Sequence, residues 1–278
     1  SFQDMEIIVV DDGSVDQTAT LLRGIDPRVE VIRHPRRRGV SAARNTGIRR
    51  SGGSLIAFLD SDDRWHPRKL EVQVAFFVQN PEAGACQTEE VWIRRGKRVN
   101  PGRKHLKPSG DVFLRSLRLC VVSPSAVMLR RDVLEQVGLF DESLPVCEDY
   151  DLWLRIARRF PIYLIGDWLV VKEGGHPDQL SRSYPAMDRF RIHALLKLLR
   201  TGPLTSEQER AVHEELYYKC KIYGEGCVKR GRKEEGEFYL GLPRRIREGP
   251  AALAHIACGV ADRLRRNGAQ ETRDEGDS

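Results

Sequence analysis

Leu55-Ile56-Ala57-Phe58-Leu59-Asp60-Ser61-Asp62-Asp63 is a short apolar run that stops in a cluster of carboxylates. A run of this length, bounded by turn residues, reads as a buried strand over Leu55–Leu59 that delivers its acids at its carboxyl end. The same pattern stands upstream, where Met5–Val10 runs into Asp11-Asp12-Gly13-Ser14. Between the two, Asp16–Leu22 has helical character with an Asp at the cap position, Val29–Ile32 reads as a strand, and the basic loop Arg33–Gly39 leads into a helix over Ser41–Arg50 capped by Ser41. Beyond the acidic run, Pro67–Val78 reads as a helix with Pro67 in its first turn. Strands alternating with helices predict βαβ units, an α/β Rossmann-like fold and a mainly parallel sheet. In such sheets ligands lie in the crevice beyond the carboxyl ends of the strands, which is where both acidic clusters fall.

Further along, Val91–Arg95 and Arg98 flank Gly96-Lys97 as a hairpin, and Val121–Leu129 is apolar around Ser123-Pro124-Ser125. Asp132–Val137 reads as a short helix ended by Gly138. Tyr150–Arg159 reads as a helix with Leu152, Trp153, Ile156 and Ala157 on one face. After Ser181 the pattern turns helical, roughly Ala186–Arg200, Ser206–Arg230 and Pro250–Arg266. The expected organisation is an α/β domain over 1–182, a helical extension over 183–267 and a disordered tail over 268–278.

The chain has 278 residues, 40% hydrophobic and 31% charged, as in an ordinary globular protein. Its formal net charge is +6, and the residues after Ser181 hold 19 Lys/Arg against 15 Asp/Glu, so most of the excess lies there. The basic residues lack interleaved aromatics and any recognisable module, which excludes nucleic acid as the expected partner. The six cysteines have no close CxxC pair and read as reduced. No run of about 18 apolar residues spans a membrane. The expected location is cytoplasmic, with a peripheral contact on the cytoplasmic membrane face as an option. That option rests on Leu253, Ile256, Ala257, Val260 and Leu264, one helical stripe with arginines at both ends, which suits either an anionic lipid surface or the protein's own core.

Several residues carry chemistry. Asp60, Asp62 and Asp63 repel one another unless a cation or backbone amides compensate, and hard divalent cations seek such oxygens. The same loop also reads as a solvated turn. Asp11 and Asp12 read as a turn or as acceptors for a base or ribose. Arg44, in the first turns of its helix, could make a charge-assisted contact to an anion. Glu148-Asp149-Tyr150-Asp151 caps a helix electrostatically and also offers a general base. His176, in Gly174-Gly175-His176-Pro177, reads as an exposed loop histidine or as a metal ligand.

Taken in order, Glu6–Asp16, Gly39–Ile48, Phe58–Asp63, Gly138-Leu139-Phe140-Asp141-Glu142 and Glu148–Trp153 resemble glycosyltransferase family 2, with the GT-A fold, over roughly the first 180 residues. The resemblance implies an inverting enzyme that takes a sugar from a nucleotide-diphosphate donor, usually a UDP-sugar, to a hydroxyl of a saccharide or lipid-linked acceptor. It implies that Asp12 contacts the base, Asp60 the ribose or a metal-bound water, and Asp62 a divalent cation, Mn²⁺ or Mg²⁺. His176 can complete the coordination. Asp11 and Arg44 fall in the donor region, Asp149 is the base, and Glu148, Tyr150 and Trp153 border the acceptor. The resemblance also places a strand, a nucleotide-holding segment and a helix ahead of Met5, so the chain reads as N-terminally incomplete. Two other readings remain: an inactive or binding-only fragment of such an enzyme, and a metal-dependent nucleotidyltransferase.

Overall fold

A computed structural model describes residues 2–100, 102, 105–175 and 184–274. The chain divides into two compact units, Ser1–Ser183 and Tyr184–Ser278.

In the first unit β1 (Ile7–Asp11) pairs in parallel with β2 (Val29–Arg33), with α1 (Thr18–Leu22) between them. After α2 (Val40–Arg50), strands β3 (Leu55–Ala57), β4 (Arg64–Trp65), β5 (Ala85–Arg94), β6 (Lys97–Val99), β7 (Val127–Arg130) and β8 (Ile162–Gly174) form a second sheet. Its order is β3-β7-β5-β8-β4, and β6 pairs with β5. The sheet is mixed rather than mainly parallel. Among the described residues β1–β2 and β5–β8 run parallel, and β3–β7, β7–β5, β4–β8 and β5–β6 are antiparallel. The reason is long-range: β7 follows α4 and an irregular stretch that bring it back antiparallel to β5, and β8 carries a Gly166-Asp167 pair that locally looks like a turn. The Val91–Arg98 hairpin forms as expected, with Arg95 and Gly96 both at positive φ, as a type I′ turn requires.

The α/β class and the C-terminal helices stand as read, while several boundaries move. α2 is capped by Gly39 at φ 95°, not by Ser41, whose hydroxyl donates instead to the Leu144 carbonyl. α3 (Lys69–Gln79) begins after Pro67, and α1 begins at Thr18, whose N–H donates to Asp16 Oδ1. One core cluster joins Phe77 of α3 to Ala83, Cys86 and Met128, with Leu55, Ala57 and Tyr163 packed against it. Full burial of the Phe77 or Met128 side chain contributes about 1.5–3 kcal/mol. α4 (Phe113–Arg118), α5 (Arg131–Val137) and α6 (Glu148–Ala157) complete the unit.

In the second unit α7 (Asp188–Arg200), α8 (Ser206–Lys229), α9 (Lys233–Ile246) and α10 (Pro250–Asp274) pack together. A reciprocal Thr205–Gln208 capping box starts α8. α9 was not legible because Gly236 and Pro243 interrupt its pattern. Gly236 is needed: a Cβ there would stand 2.7 Å from the Gly224 carbonyl oxygen of α8. Four of the five stripe residues on α10 lie in the core, with Ile256, Ala257, Val260 and Leu264 all 9% exposed or less, and Leu253 is partly buried. Arg263 lies over the Phe238 ring and pairs with Glu234, and Arg265 pairs with Asp262. This occupancy removes the basis for a membrane contact through that stripe. The helix continues through residues 268–274, expected as part of a disordered tail. Among the described residues no helix is long and apolar enough to cross a membrane.

Candidate functional site

The turn after β1 is built by its own acids. Gly13 has φ 76°, and a Cβ there would lie 2.8 Å from the Arg36 and Arg37 backbone, so the basic loop packs directly on this glycine. Asp12 then accepts from the backbone N–H of Arg38 (2.9 Å) and Gly39 (2.7 Å), and its Oδ1 lies 2.7 Å from His34 Nδ1. It therefore clamps the loop that leads into α2, whose first turn has no side-chain cap. Asp11 is 5% exposed, accepts from Ser14 N–H and lies 3.3 Å from Arg33 Nε. The hydrogen bonds from Ser14 hold its carboxyl below the usual carboxylate range. Expected in the donor region, Asp11 is committed to its own turn.

α2 reaches across to the second acidic segment. Asn45 donates to the Phe140 carbonyl and to Glu142 Oε1, and accepts from Phe140 N–H. Arg155 of α6 donates to Asp151 and to the carbonyls of Val137, Gly138 and Leu139. These buried contacts place the loop before α6 against α2. Arg44 then donates through one nitrogen to Asp60 Oδ1 at 2.7 Å and through another to Glu148 Oε1 at 2.6 Å, beneath the Phe140 ring. The acidic loop after β3 and the start of α6 thus meet at one guanidinium. Burial, and next the Asp149 charge, push the Glu148 carboxyl up to about 7 against the pull of Arg44.

Asp149, one residue on, is half-buried. Its Oδ1 accepts from Tyr150 N–H and its Oδ2 lies 3.4 Å from the Cys120 thiol. Tyr150 and Trp153 are each 1% exposed. Tyr150 donates to the Leu117 carbonyl and Trp153 packs edge-on against Phe140, so both support the site from within the core instead of lining an acceptor surface.

In the acidic loop, Asp60 N–H donates to Ser125 Oγ, and Asp62 is exposed. Asp63 is buried, its Oδ1 accepts from Glu173 N–H of β8, and its Oδ2 has no hydrogen-bond partner. Burial pushes its carboxyl up to about 6. Among the described residues no three His, Cys, Asp or Glu side chains are gathered as a metal cage. An all-oxygen loop with a buried, unpartnered carboxylate oxygen nevertheless fits a hard divalent cation of the kind that keeps waters and takes its remaining ligands from substrate phosphates. His176 lies outside the described residues. Sequence reasoning missed Ser123, Ser125, Cys120 and Lys172. Lys172 donates to Ser123 Oγ at 3.2 Å, and nothing local in these segments marks them.

The mixed α/β sheet with its flanking helices has the fold of the GT-A glycosyltransferases. TarS of S. aureus (residues 1–349, in complex with UDP) matches with a TM-score of 0.64 at 16% identity, covering 95% of this chain and 85% of that one. The mannosyltransferase PcManGT from Pyrobaculum calidifontis, in complex with GDP-Man and Mn²⁺, matches at 0.54 and 19% identity over 96% and 74%. The family model for glycosyl transferase family 2 matches residues 1–138. The succinoglycan biosynthesis protein ExoU of Rhizobium meliloti (strain 1021) is 30% identical over 285 residues, 95% of this chain and 82% of that protein. The chain belongs to glycosyltransferase family 2. It spans about a quarter of some longer relatives: an uncharacterised glycosyltransferase of Rickettsia conorii is 32% identical over 56% of this chain and 26% of its own length.

Proposed function

We propose that the protein is an inverting glycosyltransferase that moves a sugar from a nucleoside-diphosphate donor, a UDP-sugar first among them, to a saccharide or lipid-linked hydroxyl in polysaccharide assembly. The observation that carries this reading is the double contact of Arg44, which holds the Asp60 loop and the Glu148-Asp149 turn at one place. The UDP and GDP-Man complexes of the structural neighbours and the succinoglycan role of ExoU support it.

Asp60 and Asp62 would hold a divalent cation, with His176 as a further ligand. Bound there, such a cation neutralises the donor diphosphate and eases departure of the nucleoside diphosphate. Asp149, half-buried and fixed at both oxygens, takes the proton of the acceptor hydroxyl as that oxygen attacks the anomeric carbon from the face opposite the leaving group. Glu148, held by Arg44, orients the turn that presents Asp149. Asp12 bears on the donor by setting the Arg36–Gly39 loop. Positioning and electrostatics supply most of the rate.

The purified protein should be tested against a panel of UDP-, GDP- and dTDP-sugars with MnCl₂, reading nucleoside diphosphate release and the anomeric configuration of any product. Turnover with one donor class and an inverted product supports the reading. Release from none of them, or retention of configuration, overturns it.

A further inference from the structure

Lys172 of β8 is the cation that the ion pairs of the site leave over. Arg44 serves Asp60 and Glu148. Lys107 Nζ lies 3.2 Å from Glu90 Oε1, and Trp92 Nε1 donates to Glu90 Oε2. Among the described residues Lys172 makes one hydrogen bond, to Ser123 Oγ, and no carboxylate oxygen lies within 4.0 Å of its nitrogen. An ammonium has three donors, so two are unspent.

The position is held from two sides. The next residue, Glu173, donates its N–H to Asp63, and β8 pairs here with β5, Lys172 opposite Trp92. Ser123 belongs to the same turn as Ser125, whose hydroxyl accepts from Asp60 N–H. The carboxylates acting on Lys172 are Glu90, Asp63, Asp60 and Asp149, and together they outweigh burial and keep it charged. Lys172 is therefore a fixed positive charge beside the turn that holds Asp60 of the acidic loop, with spare donors. Such a charge is suited to an anion that the acids alone would repel.

We propose that Lys172 contacts the diphosphate of the nucleotide donor and holds the negative charge that gathers on it as the sugar departs. The inference rests on the reading above. In the transfer, the bond from the anomeric carbon to the terminal phosphate oxygen breaks and its electron pair stays on that oxygen. The acceptor oxygen forms the new bond, its proton passes to Asp149, and Lys172 keeps its own proton throughout.

The test is binding of UDP, GDP and the nucleosides uridine and guanosine, by calorimetry and ligand-observed NMR, to the wild-type protein, Lys172→Met and Lys172→Arg, with MnCl₂ and with EDTA. Lys172→Met is expected to weaken the nucleoside diphosphate about tenfold or more while leaving the matching nucleoside unchanged, as fits loss of a charged hydrogen bond. Lys172→Arg should keep most of the affinity. Unchanged diphosphate binding by Lys172→Met overturns the inference and leaves the glycosyltransferase reading standing. An equal loss of nucleoside binding also overturns it, because Lys172 would then serve the fold. A wild-type protein that binds neither diphosphate overturns both.

Discussion

Arg44 and Glu148, 104 residues apart in the chain, form a buried ion pair with an N–O distance of 2.6 Å. The second fork of the same guanidinium reaches Asp60, so one side chain couples the acidic loop to the turn that carries Asp149.

Arg44→Ala is expected to destabilise the protein by about 3–5 kcal/mol at pH 8, because it strands a buried carboxylate. The loss should shrink at pH 5, where Glu148 takes a proton. Arg44→Lys should recover only part, since one ammonium cannot reproduce the planar fork. Urea unfolding at both pH values measures this; a wild-type midpoint for Arg44→Ala would show that the pair contributes nothing.

Asp149→Asn keeps size and removes basicity. It should lower kcat by about 10²-fold or more while nucleotide binding persists. Near-normal kcat would move the role to Glu148, because Asp151 is 2% exposed and tied to Arg155.

The Cys120 thiol, 3.4 Å from Asp149 Oδ2, holds that carboxyl oxygen in place. Cys120→Ala should lower kcat by about 2–10-fold, and Cys120→Ser should restore it, as fits loss of one hydrogen bond. An unchanged kcat for Cys120→Ala would remove the thiol from the mechanism.

Asp62→Ala should abolish metal-dependent turnover with the thermal midpoint unchanged, because Asp62 is exposed. EDTA should do the same to the wild type, and MnCl₂ or MgCl₂ should reverse it. Full turnover in EDTA would falsify the metal assignment.

Glu148 makes stability depend on pH. Its carboxyl is pushed from 4.5 to about 7 in the fold, chiefly by burial. The native state therefore holds a proton that the unfolded chain releases. The resulting stabilisation is fully present below pH 4.5 and is lost as pH rises through about 7. Asp63 acts in the same direction through about 6. Glu148→Gln should flatten the fall in urea midpoint across this window without abolishing it; an unchanged slope would place the proton elsewhere.

What the sequence by itself determined is local. The apolar runs Ile7–Val10 and Leu55–Ala57, the acids that end them, the helix over 40–50 and the acidic start of α6 are legible because strand period, turn residues and helix-end charge are set by near neighbours. Tertiary structure decided what those pieces meet. Long β8 pairs along β5 through register shifts at Thr88–Glu90 and with β4 at Val170–Val171, and these pairings carry Lys172 and Glu173 to the acidic loop. The core took Tyr150, Trp153 and the α10 stripe, since an apolar face reads alike whether it packs inward or lies at an interface. Asp12 became the clamp of the Arg36–Gly39 loop, and Arg44 became the bridge between Asp60 and Glu148. Contacts between residues this far apart carry no local periodicity; they exist only once the folded chain has offset the entropy of closing the loops between them.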